Sequence, residues 1–383
     1  MRLERQRGFT LIELMVALLV SSLLVGMILA IFSRMSLAYR GQQQVAGVQQ
    51  VLAAARATIE GDAKQAGFAM PQGFKIASST RLQWPVQIVD SAAGPDQVAF
   101  FYGDPSAQAV VSAVTRWADA APTVTVDKTD GFAGGDLVVL AAVDTSTAGL
   151  TASDANIAKW TSCVMQIVAA GPTDTTTMSF DSTGSWGAGG GTHCATPTAG
   201  VMIYKFVARG YRIDRSTTAR AALGPLQQSK TGGLLDDWAD VAFGFTDIQT
   251  AVRVYDRDGA IDPDLDGDSK RDWLSGENQS RATRSDPAPL YLESSLAGGA
   301  VGPLQISISL VARTDRDVEG VATSATPDLI VATTAGKDTT NANSIGNRAS
   351  EPLPSATDEA LKGSRIYRYI TFQVDFRNIG IGK

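Results

Sequence analysis

From Phe9 to Phe32 the chain reads FTLIELMVALLVSSLLVGMILAIF, 24 residues with one charge, Glu13. At about 1.5 Å per helical residue this run reaches roughly 36 Å, enough to span a bilayer. Ahead of it stand Arg2, Arg5 and Arg7 against Glu4. A basic flank predicts a cytoplasmic N-terminus, with the chain beyond the span on the other side. The run is longer than the apolar region of a secretory signal and lacks a small-residue A-x-A-like exit. A carboxylate inside such a span costs about 3 kcal/mol, so Glu13 is the anomaly. Either it sits near enough to the membrane edge to stay hydrated, or an opposite charge meets it.

Gly8-Phe9-Thr10-Leu11-Ile12-Glu13 resembles the type III signal of type IV pilins and pseudopilins. The resemblance implies that a prepilin peptidase cuts between Gly8 and Phe9 and that the new N-terminal Phe9 is methylated. It also implies that Glu13 is the assembly carboxylate, paired with a neighbouring subunit's N-terminal amine. Residues 1–8 are then a leader peptide, 9–70 the pilin helix with 9–32 in the membrane, and 71–383 a periplasmic domain.

No proline occurs between Phe9 and Met70, so one long helix is expected. Beyond Phe32, Val45, Val48, Leu52, Ala55, Ile59, Ala63 and Ala66 recur at steps of three or four, which puts them on one face. Gln42, Gln43, Gln49, Arg56, Glu60 and Lys64 supply the polar surface, and Gly67 and Pro71 bracket the end. The remainder reads as strands rich in Val, Ile, Phe and Tyr between Gly, Pro, Asp and Thr clusters. Candidates are Leu82–Val89, Gln97–Tyr102, Asp136–Val143, Ser162–Ala169, Val201–Ala208, Val252–Tyr255, Leu304–Arg313 and Tyr367–Arg377. Pro85 confines the first to an edge. In the last, Tyr367, Tyr369, Thr371, Gln373 and Asp375 alternate with Ile370, Phe372, Val374 and Phe376. Ala170–Gly200 and Glu319–Gly363 read as long loops. The expected fold class is α+β: a long N-terminal helix packed on a large antiparallel β-rich domain.

Composition narrows the chemistry. One His excludes a multi-His metal centre, and two Cys cannot form a Cys-only zinc site. A formal net charge of -6 offers no general footprint for nucleic acid. His193 beside Cys194 is a poor nucleophile pair, because adjacent strand residues point to opposite faces. There is no G-x-S-x-G elbow, and Gly187–Gly191 lacks the Lys-Ser/Thr of a P-loop. No enzyme is expected.

Two constellations remain. Cys163 and Cys194 fall outside the membrane on this topology, where an even pair favours a disulfide; the alternative is two unpaired buried thiols. Asp262, Asp264, Asp266 and Gly267, with Asp268 and Asp272 close by, match the first half of an EF-hand loop. The twelfth position is Trp273 instead of Glu. Ca²⁺ binding and a plain solvated acidic turn are both open.

The ending Arg365–Asn378, a basic-aromatic strand closing on Arg-Asn, resembles PilW-type minor pilins, as does Asp247–Asp256 with its Asp-Gly-rich sequel. This implies a minor pilin near the filament tip, priming pilus assembly with other minor pilins and the major pilin. It also implies a role in carrying a large tip adhesin. The chain would wait in the inner membrane before reaching the cell surface. A type II secretion pseudopilin, or a tip module for surface attachment, are the alternatives.

Overall fold

The computed structural model describes residues 10–71, 73–76, 82–89, 95–117, 122–141, 162–181, 194, 196–233, 236–255, 302–314 and 365–379. Helix α1, Leu11–Gln65, is unbroken over 55 residues, about 80 Å. It ends at Ala66, whose N–H still reaches Asp62 O at 3.1 Å, and Gly67 then turns the chain at φ 83°. A Cβ at Gly67 would also run into Ile379, so glycine is required there on two counts. Val48, Leu52, Ala55, Ile59, Ala63 and Ala66 are buried and Val45 is half-buried, the stripe expected from the spacing.

The rest is built on two sheets. Strands β1 (Phe74–Ile76), β2 (Leu82–Gln83), β3 (Val86–Val89), β4 (Gln97–Arg116), β5 (Thr123–Val126), β6 (Leu137–Ala141), β7 (Ser162–Gln166), β8 (Thr177–Ser179) and β9 (Met202–Ile213) come first. The short helix α2 (Thr218–Leu223) then leads to β10 (Leu226–Ser229) and β11 (Ala239–Ala242). These eleven strands share one sheet in the order β2-β1-β7-β6-β9-β4-β5-β8; β3 lies on β4, β10 on β9, and β11 on β10. All the pairings are antiparallel except β1 with β7. The second sheet is β12 (Phe245–Tyr255), β13 (Gly302–Arg313) and β14 (Tyr367–Asp375), antiparallel in that order. The fold is α+β, a long helix on a large antiparallel β-rich domain.

Strands β4 and β9 form the spine. They pair along nearly all of β9 and from Gln97 to Val110 of β4, and each is flanked by different neighbours in its two halves. One end packs on α1 together with β12–β14, in a core that includes Ile59, Phe100, Tyr211, Phe245, Ile308 and Phe372. The other end closes a separate core around Val124, Met165, Met178, Phe180 and the two cysteines. A third cluster, with Met70, Phe74, Phe101 and Phe206, lies under the turn that follows α1. Asp96 joins the two sheets. Its N–H donates to Ile248 O at 2.8 Å, and its fully buried carboxylate accepts from Thr250 N and Oγ1 at 2.7 and 3.0 Å.

Several expected strands change. Leu82–Val89 is broken at Trp84-Pro85 into β2 and β3, and β3 is an edge strand, as Pro85 requires. Gln97–Tyr102 is the start of a strand that continues to Arg116. Gly103 and Pro105 are absorbed by a register shift between Asp104 and Gln108. The expected loop Ala170–Gly200 contains β8, which pairs with β5. Strand β12 begins seven residues before Val252, at Phe245. In β14 the apolar set faces the helix core, but Tyr367, expected on the polar face, is buried. Glu319–Gly363 lies outside the described residues.

Candidate assembly segment and its attachment to the head

The start of α1 is a capping box. Thr10 is the N-cap, with Glu13 at the third helical position, as the Thr-x-x-Glu pattern allows. Thr10 N and Thr10 Oγ1 both donate to Glu13 Oε2 at 3.0 Å, and Glu13 N donates back to Thr10 Oγ1 at 3.4 Å. Both contacts fall on one carboxylate oxygen. Oε1 has no partner among the described residues, which leaves half of the carboxylate available to an outside cation. From Leu11 to Tyr39 the helix is bare, and its large apolar side chains are exposed on every side. The most apolar window has a mean hydropathy of 2.8, with none of it buried. Such a surface is stable only against lipid or other apolar helices.

Higher up, polar contacts fix α1 to the head. Asp62 is three residues from Ile59 and four from Ala66, so it sits within the buried stripe. Tyr102 Oη of β4 donates to Asp62 Oδ1 at 2.7 Å, and Tyr211 Oη of β9 donates to Asp62 Oδ2. Gln228 Nε2 donates to Tyr211 Oη at 2.8 Å. Burial, then the Asp62 carboxylate, pushes both phenols well above their ordinary range. Gly67 N donates to Phe101 O at 3.0 Å and Gly103 N to Phe68 O at 2.9 Å, which ties the turn to β4. Asn378 Nδ2 reaches Lys64 O at 3.3 Å and so caps a free carbonyl of the last helical turn. The Arg56 guanidinium lies over the Phe372 ring, 5.6 Å from its centroid. Arg56 also pairs with Glu60, as does Lys64 at 2.6 Å, and these bonds, Lys64 foremost, hold the Glu60 carboxyl below its usual value.

Cys163 and Cys194 are joined as a disulfide, with Cα atoms 5.8 Å apart. The bridge ties β7 to a segment whose Cys194 O accepts from Trp117 Nε1 at 3.2 Å. Closing a loop of 31 residues contributes about 4 kcal/mol in a chain-entropy account. Gly8, Phe9 and His193 lie outside the described residues, as do Asp262, Asp264, Asp266, Asp268 and Asp272. Among the described residues no group of three His, Cys, Asp or Glu is placed to hold a metal.

Sequence reasoning missed Thr10, Asp62 with its two tyrosines, and the capping role of Asn378. Thr10-x-x-Glu13 was readable as a capping box, and Asp62 stood at core spacing. Nothing local to Tyr102 or Tyr211 announced a shared acceptor 40 and 149 residues away.

Residues 4–29 match the family model described as the prokaryotic N-terminal methylation motif. The chain therefore carries the type IV prepilin signal, consistent with the type IV pilin superfamily. Among solved structures it is similar to a type IV-like pilin from Thermus thermophilus. That likeness has 10% identity and a TM-score of 0.34, and it covers 86% of this chain and 97% of that one. No curated protein matches the chain.

Proposed function

We infer that this chain is a minor pilin of a type IV pilus. It acts near the filament tip with other minor pilins, primes assembly, and presents its head to a tip adhesin. The observation that carries the reading is the start of α1: a prepilin signal leading into a bare apolar helix whose Glu13 carboxylate has one oxygen, Oε1, without a partner among the described residues. Prepilin peptidase would cut between Gly8 and Phe9, and the new amine of a neighbouring subunit would be the cation that Glu13 receives. In this reading residues 9–32 hold the chain in the inner membrane, with residues 71–383 in the periplasm, until extraction into the filament. The PilW-type reading rests on the sequence resemblance of Arg365–Asn378, whose Asn378 returns to Lys64 O in the last turn of α1. The role is structural and needs no reaction of its own.

The test is Glu13→Ala in cells that lack the native copy. Removing one partner of a desolvated ion pair leaves the other charge uncompensated, a loss of several kcal/mol. The variant should accumulate in the membrane with its head intact while its recovery with sheared pili falls at least tenfold. Normal recovery and normal piliation would refute the assembly role of Glu13. Loss of secreted enzymes with pili unaffected would instead assign the chain to a secretion system.

A further inference from the structure

We propose that the outer edge of β14 is a docking site for an extended strand of another pilus subunit; this rests on the assembly reading above.

The direction of each backbone group in β14 follows from its ladder. Thr314 N donates to Ile366 O at 3.0 Å, so Thr314 and Ile366 are a hydrogen-bonded pair. Alternation then makes Arg368, Ile370, Phe372 and Val374 the residues that bond to β13. The backbone groups of Tyr367, Tyr369, Thr371, Gln373 and Asp375 point away from it. The far side of the sheet agrees. Arg313 N donates to Gly244 O, and Ile248 O and Thr250 N, which point away from β13, meet Asp96. Among the described residues only Tyr367 O of these outward groups is taken, by the Arg368 guanidinium at 3.0 Å. The outward N–H and C=O groups of Tyr369, Thr371 and Gln373 have no partner among the described residues.

Folded proteins blunt long edges with bulges, prolines, short strands or covers. The other edges here follow that rule among the described residues. β2 has two residues, β8 three and β3 four; β11 has four and a bulge; β12 is met by Asp96. β14 has nine residues in even register with β13, no bulge and no proline. Tyr369 stands 43% exposed beside the open ladder. A ladder of unpaired amides and carbonyls is complementary to one kind of partner, an extended backbone. Arg368 and Arg377 are exposed near the two ends of the edge. Asp375 is occupied by Gln305 Nε2 at 2.6 Å. The partner strand is therefore one that brings a carboxylate to Arg368 or Arg377.

Amide hydrogen exchange on the full chain tests this. In detergent micelles the amides of Tyr369, Thr371 and Gln373 should exchange freely. In protein recovered with sheared pili they should slow at least tenfold. Unprotected amides in pili overturn the proposal. So does protection in micelles that grows with protein concentration, because the occupant is then a second copy of this chain. Gln373→Pro removes one outward N–H without touching a β13 bond. It should melt with the parent yet lose at least tenfold in recovery with pili, while Gln373→Ala behaves as the parent. If Gln373→Pro enters pili normally while Glu13→Ala is blocked, the edge is unused and the assembly reading stands. If Glu13→Ala also enters normally, the assembly reading itself falls.

Discussion

The two halves of α1 are one covalent helix under opposite conditions. Up to Tyr39 its large apolar side chains are exposed, and Ile28 is 64% exposed. From Val48 to Ala66 an apolar stripe is sealed against the head, and Ile59 is fully buried. Helical propensity hardly distinguishes them, since the lower half is rich in Leu and Met and the upper half in Ala, all good helix formers. The difference lies in what each half lacks. The upper half has found its partners inside the chain; the lower half carries a surface that only lipid or other helices can cover. Stability is therefore concentrated in one half, and the apolar surface left for outside partners in the other.

The sharpest way to break that comparison is to shorten one isoleucine in each half. Ile59→Ala opens a cavity between α1 and both sheets and should cost about 3 kcal/mol, lowering the melting temperature of the head by several degrees. Ile28→Ala, in the same micelles, should stay within about 0.5 kcal/mol of the parent. Thermal unfolding followed by near-ultraviolet circular dichroism reads both. Equal losses would mean that the lower half also packs on the head.

Asp62→Ala should come next, at about 2 kcal/mol. It strips the acceptor from two largely buried hydroxyls while Gln228 still serves Tyr211. The upper stripe is mostly small, with Ala55, Ala63 and Ala66 around Ile59, and a smooth surface fixes rotation weakly. The carboxylate, held from β4 and β9 together, adds an angular constraint that apolar contact lacks. A loss below about 0.5 kcal/mol in chemical denaturation would show that the stripe alone sets the register.

How much of this was legible beforehand depends on the range of each interaction. The helix, its length, its buried stripe and the unusual Glu13 were all readable, because helical periodicity and the absence of proline are local. The alternation in β13 and β14 was readable for the same reason, and so was the pairing of the only two cysteines. β4 was half-read: Gly103 and Pro105 look like a stop, and only pairing with β9 carries the strand across them. Asp96 resembled any loop carboxylate. Its place as the joint between two sheets depends on Ile248 and Thr250, the latter 154 residues further along. Contacts closed over such distances leave no mark in a window of sequence.

The smallest expected effect comes from the phenols on Asp62. The fold raises the pKa of Tyr211 above its ordinary value of 10.0, through burial first and the Asp62 charge second, with Gln228 and Arg209 pulling the other way. A raised pKa means that the folded state holds its proton more tightly than the unfolded chain. That stabilisation is fully present below about pH 10, where both states are protonated. As the pH rises further the unfolded chain sheds its proton while the folded one keeps it, so stability falls by up to about 1.4 kcal/mol per pH unit. Tyr102, raised by burial and the same carboxylate, adds a slope of the same sign and size over this range. Urea midpoints measured from about pH 9 to 11 should decline for the parent and about half as steeply in Tyr211→Phe, where Tyr102 still titrates. An equal decline in the variant would place the alkaline loss elsewhere and remove Tyr211 from the set of groups that tie the upper helix to the head.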